Sequence, residues 1–133
     1  MAARIERGDI RVWRSSMSGK RRPALVLTRQ MAIPALSTVT IAPISSSMRA
    51  VASEVALGID DGMKKRCAVN LHNLVTVEQR ELGRRVGKLG PEKMAEACRA
   101  LSFALGCDFW DPIDISHLID GVTQQVRNAS AAS

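Results

Sequence analysis

A basic turn, Lys20-Arg21-Arg22, runs straight into Pro23-Ala24-Leu25-Val26-Leu27-Thr28, and a second apolar stretch, Ile41-Ala42-Pro43-Ile44, ends in Ser45-Ser46-Ser47. If both stretches are strands, guanidinium groups and hydroxyls meet at strand ends with almost no acid between them. Guanidinium forks grip phosphate oxygens in pairs, and serine hydroxyls donate to them. This is the surface a phosphodiester requires. Pro23 also biases Arg22 toward an extended backbone, which throws its side chain out at the strand entrance. Metal and redox chemistry find no comparable pattern. There is no His-x₃-His pair and no close group of carboxylates, and Cys67, Cys98 and Cys107 are odd in number and far apart. Neither a zinc site nor a disulfide framework has the spacing it needs, and no cofactor is expected.

Charge points the same way. The chain carries +6 overall, but residues 108–133 hold Asp108, Asp111, Asp114 and Asp120 against Arg127 alone, so residues 1–107 carry 18 bases against 9 acids. A domain that basic favours a polyanionic partner, nucleic acid before membrane. The whole chain's aromatic residues are only Trp13, Phe103, Phe109 and Trp110. A stacking platform is therefore poorly supported, and RNA would be held mainly through arginine, lysine and hydroxyl contacts. The apolar runs are too short to span a bilayer, and the charged start, Met1-Ala2-Ala3-Arg4-Ile5-Glu6-Arg7, is unlike a secretory signal. A cytoplasmic protein without membrane association is expected.

The elements that must position these groups are mostly strands. Ile10 and Val12 alternate with Arg11 and Trp13, Ala24–Thr28 is apolar, and Thr38–Ile44 is rich in β-branched residues. Val51–Leu57 follows, and Ala68–Val77 reads as one strand with Val69, Leu71 and Asn73 on a shared face. Ser18-Gly19, Asp60-Asp61-Gly62 and Gly83 supply the turns. Short strands joined by polar turns predict a small closed or partly closed barrel. One helix follows. Pro91 suits its first position, Glu92 favours the positive end of its dipole, and Gly106 is placed to end it. Met94, Cys98, Leu101 and Leu105 recur at spacings of four, three and four, an apolar stripe for core or dimer contact that should bury Cys98. The chain length fits one domain, with residues 1–107 as its body. Residues 108–133 read as an acidic extension, either a short helix over Ile113–Val126 or a tail.

Taken together, the segments GDIRVW, KRRPALVLT, VTIAPISSS, SEVAL, the Asp61-Gly62 turn, LVTV, ELGRRVGKL and ALSFALG resemble, in order and across about residues 5–107, the MazF/PemK family of toxin endoribonucleases. The resemblance implies a mainly β fold with α, an SH3-like small β-barrel of the CcdB/MazF/Kid type with a C-terminal helix. It implies a homodimer that cuts single-stranded RNA without a metal and is paired with an acidic antitoxin occupying the RNA groove. The implied reaction is attack of a ribose 2′-hydroxyl on the adjacent phosphate. Arg22 aligns with the arginine of the family's R-P-A-L/V-V motif, and Ser45 with a hydroxyl residue, more often threonine, after A-P-I/V. Those two are the implied catalytic groups, with Lys20, Arg21, Ser46 and Ser47 as RNA contacts.

His72 departs from the family pattern, falling where C-D-Q is common. A neutral imidazole has a better pKa for general-base work near pH 7 than an exposed carboxylate does, so His72 is a third catalytic candidate beside a plain strand histidine. Asn70, Asn73 and Thr76 are further candidate RNA contacts. The loop Arg14–Gly19 is shorter than is common in the family, which leaves the groove more open. Two other classes compete. A gyrase poison like the CcdB group would end in a Trp-Gly-Ile type terminus, unlike Asn128–Ser133 here. A non-catalytic SH3-like module binding RNA or the ribosome would keep the charge but need no hydroxyl beside Arg22.

Overall fold

The computed structural model of the protein describes residues 4–107; the expectations for residues 108–133 lie outside the described residues. Seven strands precede one helix: β1 (Asp9–Arg14), β2 (Arg21–Val26), β3 (Thr38–Ser45), β4 (Glu54–Leu57), β5 (Cys67–Asn70), β6 (Val75–Glu78), β7 (Leu82–Lys88) and α1 (Pro91–Leu105), with short 3₁₀ segments at Gln30–Ala35, Ile59–Asp61 and Gln79–Glu81. The sheet runs β4-β5-β3-β2-β1-β7, with β6 added to β3. Every pairing is antiparallel.

The hub is β3. Its first half pairs with β6 (Thr38↔Glu78 to Ile41↔Val75), its last two residues pair with β5 (Ile44↔Val69, Ser45↔Ala68), and β2 runs along it as well. Serving different partners at its two ends bends the sheet over itself. The result is a small barrel-like fold whose sheet is open, mainly β with a C-terminal helix. The same division explains one departure from expectation. Residues 68–77 form two strands, not one, because they must cross from one half of β3 to the other. The crossing is the turn at Leu71–Asn73, where Leu71 is fully buried and its N–H donates to the Ser53 carbonyl at 2.9 Å.

Both faces of the central strands are covered. Leu25, Ala42 and Ile44 join a larger core cluster with Ile10, Val55, Val69 and Ala97, while Ala24, Val26, Val39 and Ile41 join a second cluster with Ile33, Val77 and Leu82. Two-sided burial is why the second half of β2 and the middle of β3 are continuous apolar runs.

The helix begins at Pro91 behind Gly90 and ends at Gly106, which has φ 74°. The Cys107 N–H donates to the Ser102 carbonyl and the Gly106 N–H to that of Phe103, so a Schellman turn satisfies the last carbonyls. The helix is rotated from the expected stripe. Ala97 and Ala100 are its buried residues, Met94 and Leu101 pack at the margin, and Leu105 stays 62% exposed. Small alanines let the helix axis lie close to the sheet, which leaves Cys98 half-buried with its Sγ accepting from Arg7 Nη2 at 3.2 Å.

A buried ion pair stiffens β1 against β7. Asp9 is fully buried, and its Oδ2 accepts from Arg11 Nε at 3.1 Å and from the Glu6 N–H at 3.0 Å. Arg11 also donates to the carbonyls of Gly83 (3.1 Å) and Arg4 (2.8 Å). At Gly83 a Cβ would sit 3.3 Å from the Val12 carbonyl oxygen, so a larger residue there would push the two strands apart by a few tenths of an ångström.

Candidate nucleic-acid interface

At the open ends of β1, β2 and β3 lies a groove of about 1190 Å³. Its apolar floor includes Val12, Pro23, Ile44, Met63 and Val86, and its basic lining is Arg14, Arg21, Arg22, Lys64, Lys65, Arg84 and Arg85 against a single acid, Glu81. Cationic residues around a low-dielectric floor concentrate field lines on an incoming polyanion.

Register builds the lip of the groove. Ala24 pairs with Pro43, and continuing that pairing two rungs toward the strand ends sets Arg22 opposite Ser45. Strand alternation gives Arg22 the face of Ala24 and Val26, and Ser45 the face of Val39 and Ile41. By that alternation the guanidinium and the hydroxyl flank the floor residues Pro23 and Ile44 from one side, and both line the groove. Trp13, half-buried against the second core cluster, pairs with Arg22 from the other side. The Ser45 Oγ accepts the Ser47 N–H at 3.0 Å. That turn occupies a lone pair and leaves the hydroxyl proton free to donate.

The neighbouring rung carries a cost. Arg14 and Arg21 stand directly opposite each other on β1 and β2, and like charges so placed destabilise a sheet. A bound polyanion offsets that repulsion. Among the described residues, Arg21, Arg22, Lys64, Lys65 and Arg84 take part in no ion pair. Arg85 is half exposed, with Nη1 3.7 Å from the buried Asp9 Oδ1. That oxygen accepts no hydrogen bond among the described residues; it faces Arg85 and, at 4.0 Å, Lys88 by charge alone.

Of the residues singled out from sequence, the groove brings together Arg21, Arg22, Ser45, Ser46 and Ser47. Lys20, Asn70, His72, Asn73 and Thr76 do not line it. The exposed His72 sits in the β5–β6 turn, where its Nδ1 lies 2.6 Å from Ser53 Oγ and its N–H donates to Asn70 Oδ1 at 3.3 Å. Thr76 meets Thr40 across the β3–β6 pair, hydroxyl to hydroxyl at 3.2 Å. Sequence reasoning missed Arg14, Met63, Lys64, Lys65, Glu81, Arg84 and Arg85 as parts of one site. Two signals could have found most of them: the run Lys64-Lys65-Arg66 just beyond the Asp61-Gly62 turn, and Arg84-Arg85 between Gly83 and Gly87 on a strand. Gly62, at φ 87°, takes the left-handed backbone that turns Met63–Lys65 into the groove.

Two further groups have shifted ionisation. Burial pushes the Cys67 thiol up, Asp61 adds to the rise, and Lys65 opposes it. Its sulfur, on the groove floor, is thus held as the neutral thiol. Outside the groove lining, the Lys88 ammonium, hydrogen-bonded to Glu6, holds the Glu6 carboxyl below its ordinary value. Among the described residues no helix is long and apolar enough to cross a membrane, and no three His, Cys, Asp or Glu side chains gather in one place.

Residues 6–105 match the family described as the PemK-like, MazF-like toxin of type II toxin–antitoxin systems. The chain is 38% identical over 109 residues to a probable endoribonuclease, MazF5, of Mycobacterium tuberculosis, a match covering 80% of this chain and 98% of the relative. Among solved structures, the Mycobacterium tuberculosis toxin MazF-mt6 superposes with a TM-score of 0.70 at 31% identity, covering 77% of this chain and 99% of that one. A mycobacterial endoribonuclease in complex with its cognate antitoxin superposes with a TM-score of 0.67 at 26% identity, covering 77% of this chain and 96% of that one.

Proposed function

Because this chain belongs to the PemK-like, MazF-like toxin family of type II toxin–antitoxin systems, we propose that it is an endoribonuclease toxin whose groove holds single-stranded RNA. The observation that carries this reading is that Arg22, near the start of β2, and Ser45, at the end of β3, line one groove with seven bases and one acid. In the reaction, the ribose 2′-oxygen loses its proton and attacks the adjacent phosphorus. The bond from phosphorus to the 5′-oxygen breaks, and that oxygen gains a proton. The products are a 2′,3′-cyclic phosphate and a 5′-hydroxyl end. Negative charge builds on the non-bridging oxygens as the fifth bond forms. Arg22 meets that charge with a bidentate fork, and the Ser45 hydroxyl donates to the same phosphate; preorganised donors of this kind lower the barrier most where charge develops. Arg21, Lys64, Lys65 and Arg84 hold the flanking phosphates, with Ser46 and Ser47 supplying further donors.

Residues 1–107 form the toxin domain, 108–133 are an acidic extension, and the working form is a cytoplasmic homodimer. The protein partner is an acidic antitoxin whose carboxylates compete with RNA phosphates for the groove. No metal takes part. Incubating the purified protein with a long RNA in EDTA should give fragments with 5′-hydroxyl ends at the rate seen without chelator. Strict dependence on added Mg²⁺, or tight RNA binding with no cleavage at all, would overturn the reading.

A further inference from the structure

A second hollow, about 430 Å³, opens beside the groove and is lined by Arg14, Ser15, Ser16, Gly19 and Glu81. Arg14 and Glu81 line both spaces, so the hollow continues the groove past the end of β1. It is a shallow, open hollow, able to take the edge of a planar group while leaving the rest in solvent. Its wall is fixed by the β1–β2 loop's own hydrogen bonds: Ser15 N–H to the Lys20 carbonyl at 3.1 Å, Gly19 N–H to the Ser15 carbonyl at 2.7 Å, and Arg14 Nε to the Gly19 carbonyl at 3.1 Å. That last bond pins the head of the Arg14 fork and leaves its terminal nitrogens for acceptors.

Glu81 is the acid that the groove's charge does not explain. It is exposed and forms no ion pair or hydrogen bond among the described residues, although the groove beside it carries seven bases. Facing a phosphate, it would repel RNA. An ionised carboxylate only accepts hydrogen bonds, and apart from ribose hydroxyls the donors RNA offers are base N–H groups. Guanine presents two in parallel, N1–H and the N2 amino group, matched to two carboxylate oxygens, while its O6 and N7 suit an arginine fork. Uracil offers one N–H flanked by two carbonyls that oppose the carboxylate. Cytosine and adenine each set a single amino group beside a ring nitrogen lone pair.

We infer that this hollow is a guanine subsite, with Glu81 accepting from the base's Watson–Crick edge and Arg14 donating to its O6 side. The inference rests on the reading of the groove as an RNA site, and the test separates the two. Oligonucleotides with 2′-deoxy substitution across the cleavage region cannot be cut. They would carry guanine, inosine or uracil at successive positions, and their affinities would be measured by fluorescence anisotropy beside cleavage of the all-ribose forms. Inosine lacks only the N2 amino group.

At one position the wild type should prefer guanine to inosine by roughly 5- to 150-fold, the range for a good bidentate base contact. Glu81→Gln should erase that preference and, by removing repulsion, tighten binding of the uracil oligonucleotide. Those opposite signs are something a structural role would not produce. Equal affinity for guanine and inosine at every position, or a Glu81→Gln effect that moves all oligonucleotides alike, overturns the inference even if RNA is cleaved. A uniform fall in kcat in that variant with the guanine preference intact also overturns it, by moving Glu81 into the chemistry. Guanine-selective binding without cleavage of the all-ribose form sinks the nuclease reading instead.

Discussion

Arg11 and Arg22 stand two rungs apart on neighbouring strands, since Arg11 pairs with Ala24 and Trp13 with Arg22. They share a face of one sheet and differ in everything else. Arg11 is 3% exposed and wrapped by the Asp9 carboxylate and two carbonyls. Arg22 is exposed at a strand entrance with no partner among the described residues. The first is a compensated charge that the fold cannot lose. The second is an uncompensated charge that the fold does not need. A protein keeps the latter for something outside itself, and substitutions should separate the two roles.

The largest effect belongs to the buried pair. Asp9→Ala strands the Arg11 cation in the interior, and breaking a buried pair from one side costs about 3–5 kcal/mol. Urea unfolding should show a midpoint lowered accordingly, while the fraction that remains folded still cleaves RNA. Unchanged stability would mean that Arg11 finds other anions and that the contrast with Arg22 is false. Next comes Arg22→Ala. Losing one preorganised transition-state donor should lower the cleavage rate roughly 10²- to 10³-fold, with stability unchanged to within about 0.5 kcal/mol, as for other surface substitutions. Single-turnover cleavage and the same urea titration read both. A variant that cuts at the wild-type rate removes Arg22 from the chemistry.

A smaller effect is expected on the groove floor. Because burial raises the folded-state pKa of Cys67, the folded chain holds its proton more tightly than the unfolded chain does. The stability this gives is fully present below the ordinary thiol value of 9.0 and declines as pH rises through that value toward the folded one. Cys67→Ala should flatten this alkaline decline in a thermal-melt series. A wild-type curve already flat across that window would show that the thiol is not desolvated. The smallest effect is at His72. Bonded to Ser53 and away from the groove, it should behave as a turn residue, so His72→Asn should keep both the cleavage rate and its acid limb. If that limb disappears, His72 reaches catalysis from a second protomer, and the line between structural and functional charge must be redrawn across a dimer.

His72 also shows where sequence reading lost its hold. Only the family pattern made the histidine a catalytic candidate, and alternation along Ala68–Val77 gave a continuous strand. That inference is local, and β3's exchange of partners is not. The turn at Leu71–Asn73 exists because β5 and β6 pair with different halves of β3, a constraint set by residues 30 positions upstream. Cys98 failed for a related reason. Spacing placed it on the apolar stripe, but the close approach of Ala97 and Ala100 to the sheet rotated the helix past it.

By itself the sequence determined what depends on neighbours along the chain. Pro91 and Gly106 set the limits of the helix, since one lacks the N–H that a first turn leaves unused and the other reaches a left-handed backbone without strain. The apolar runs located β2 and β3, and with them the neighbourhood of Arg22 and Ser45, although β2 starts at Arg21, ahead of Pro23. The tertiary structure alone decided which separate segments became one surface. Lys64-Lys65, Arg84-Arg85, Arg14 and Glu81 meet across the groove because strand register and the bend of the sheet are fixed by long-range pairing and by burial on both faces of β2 and β3. Neither is carried by any short window of residues.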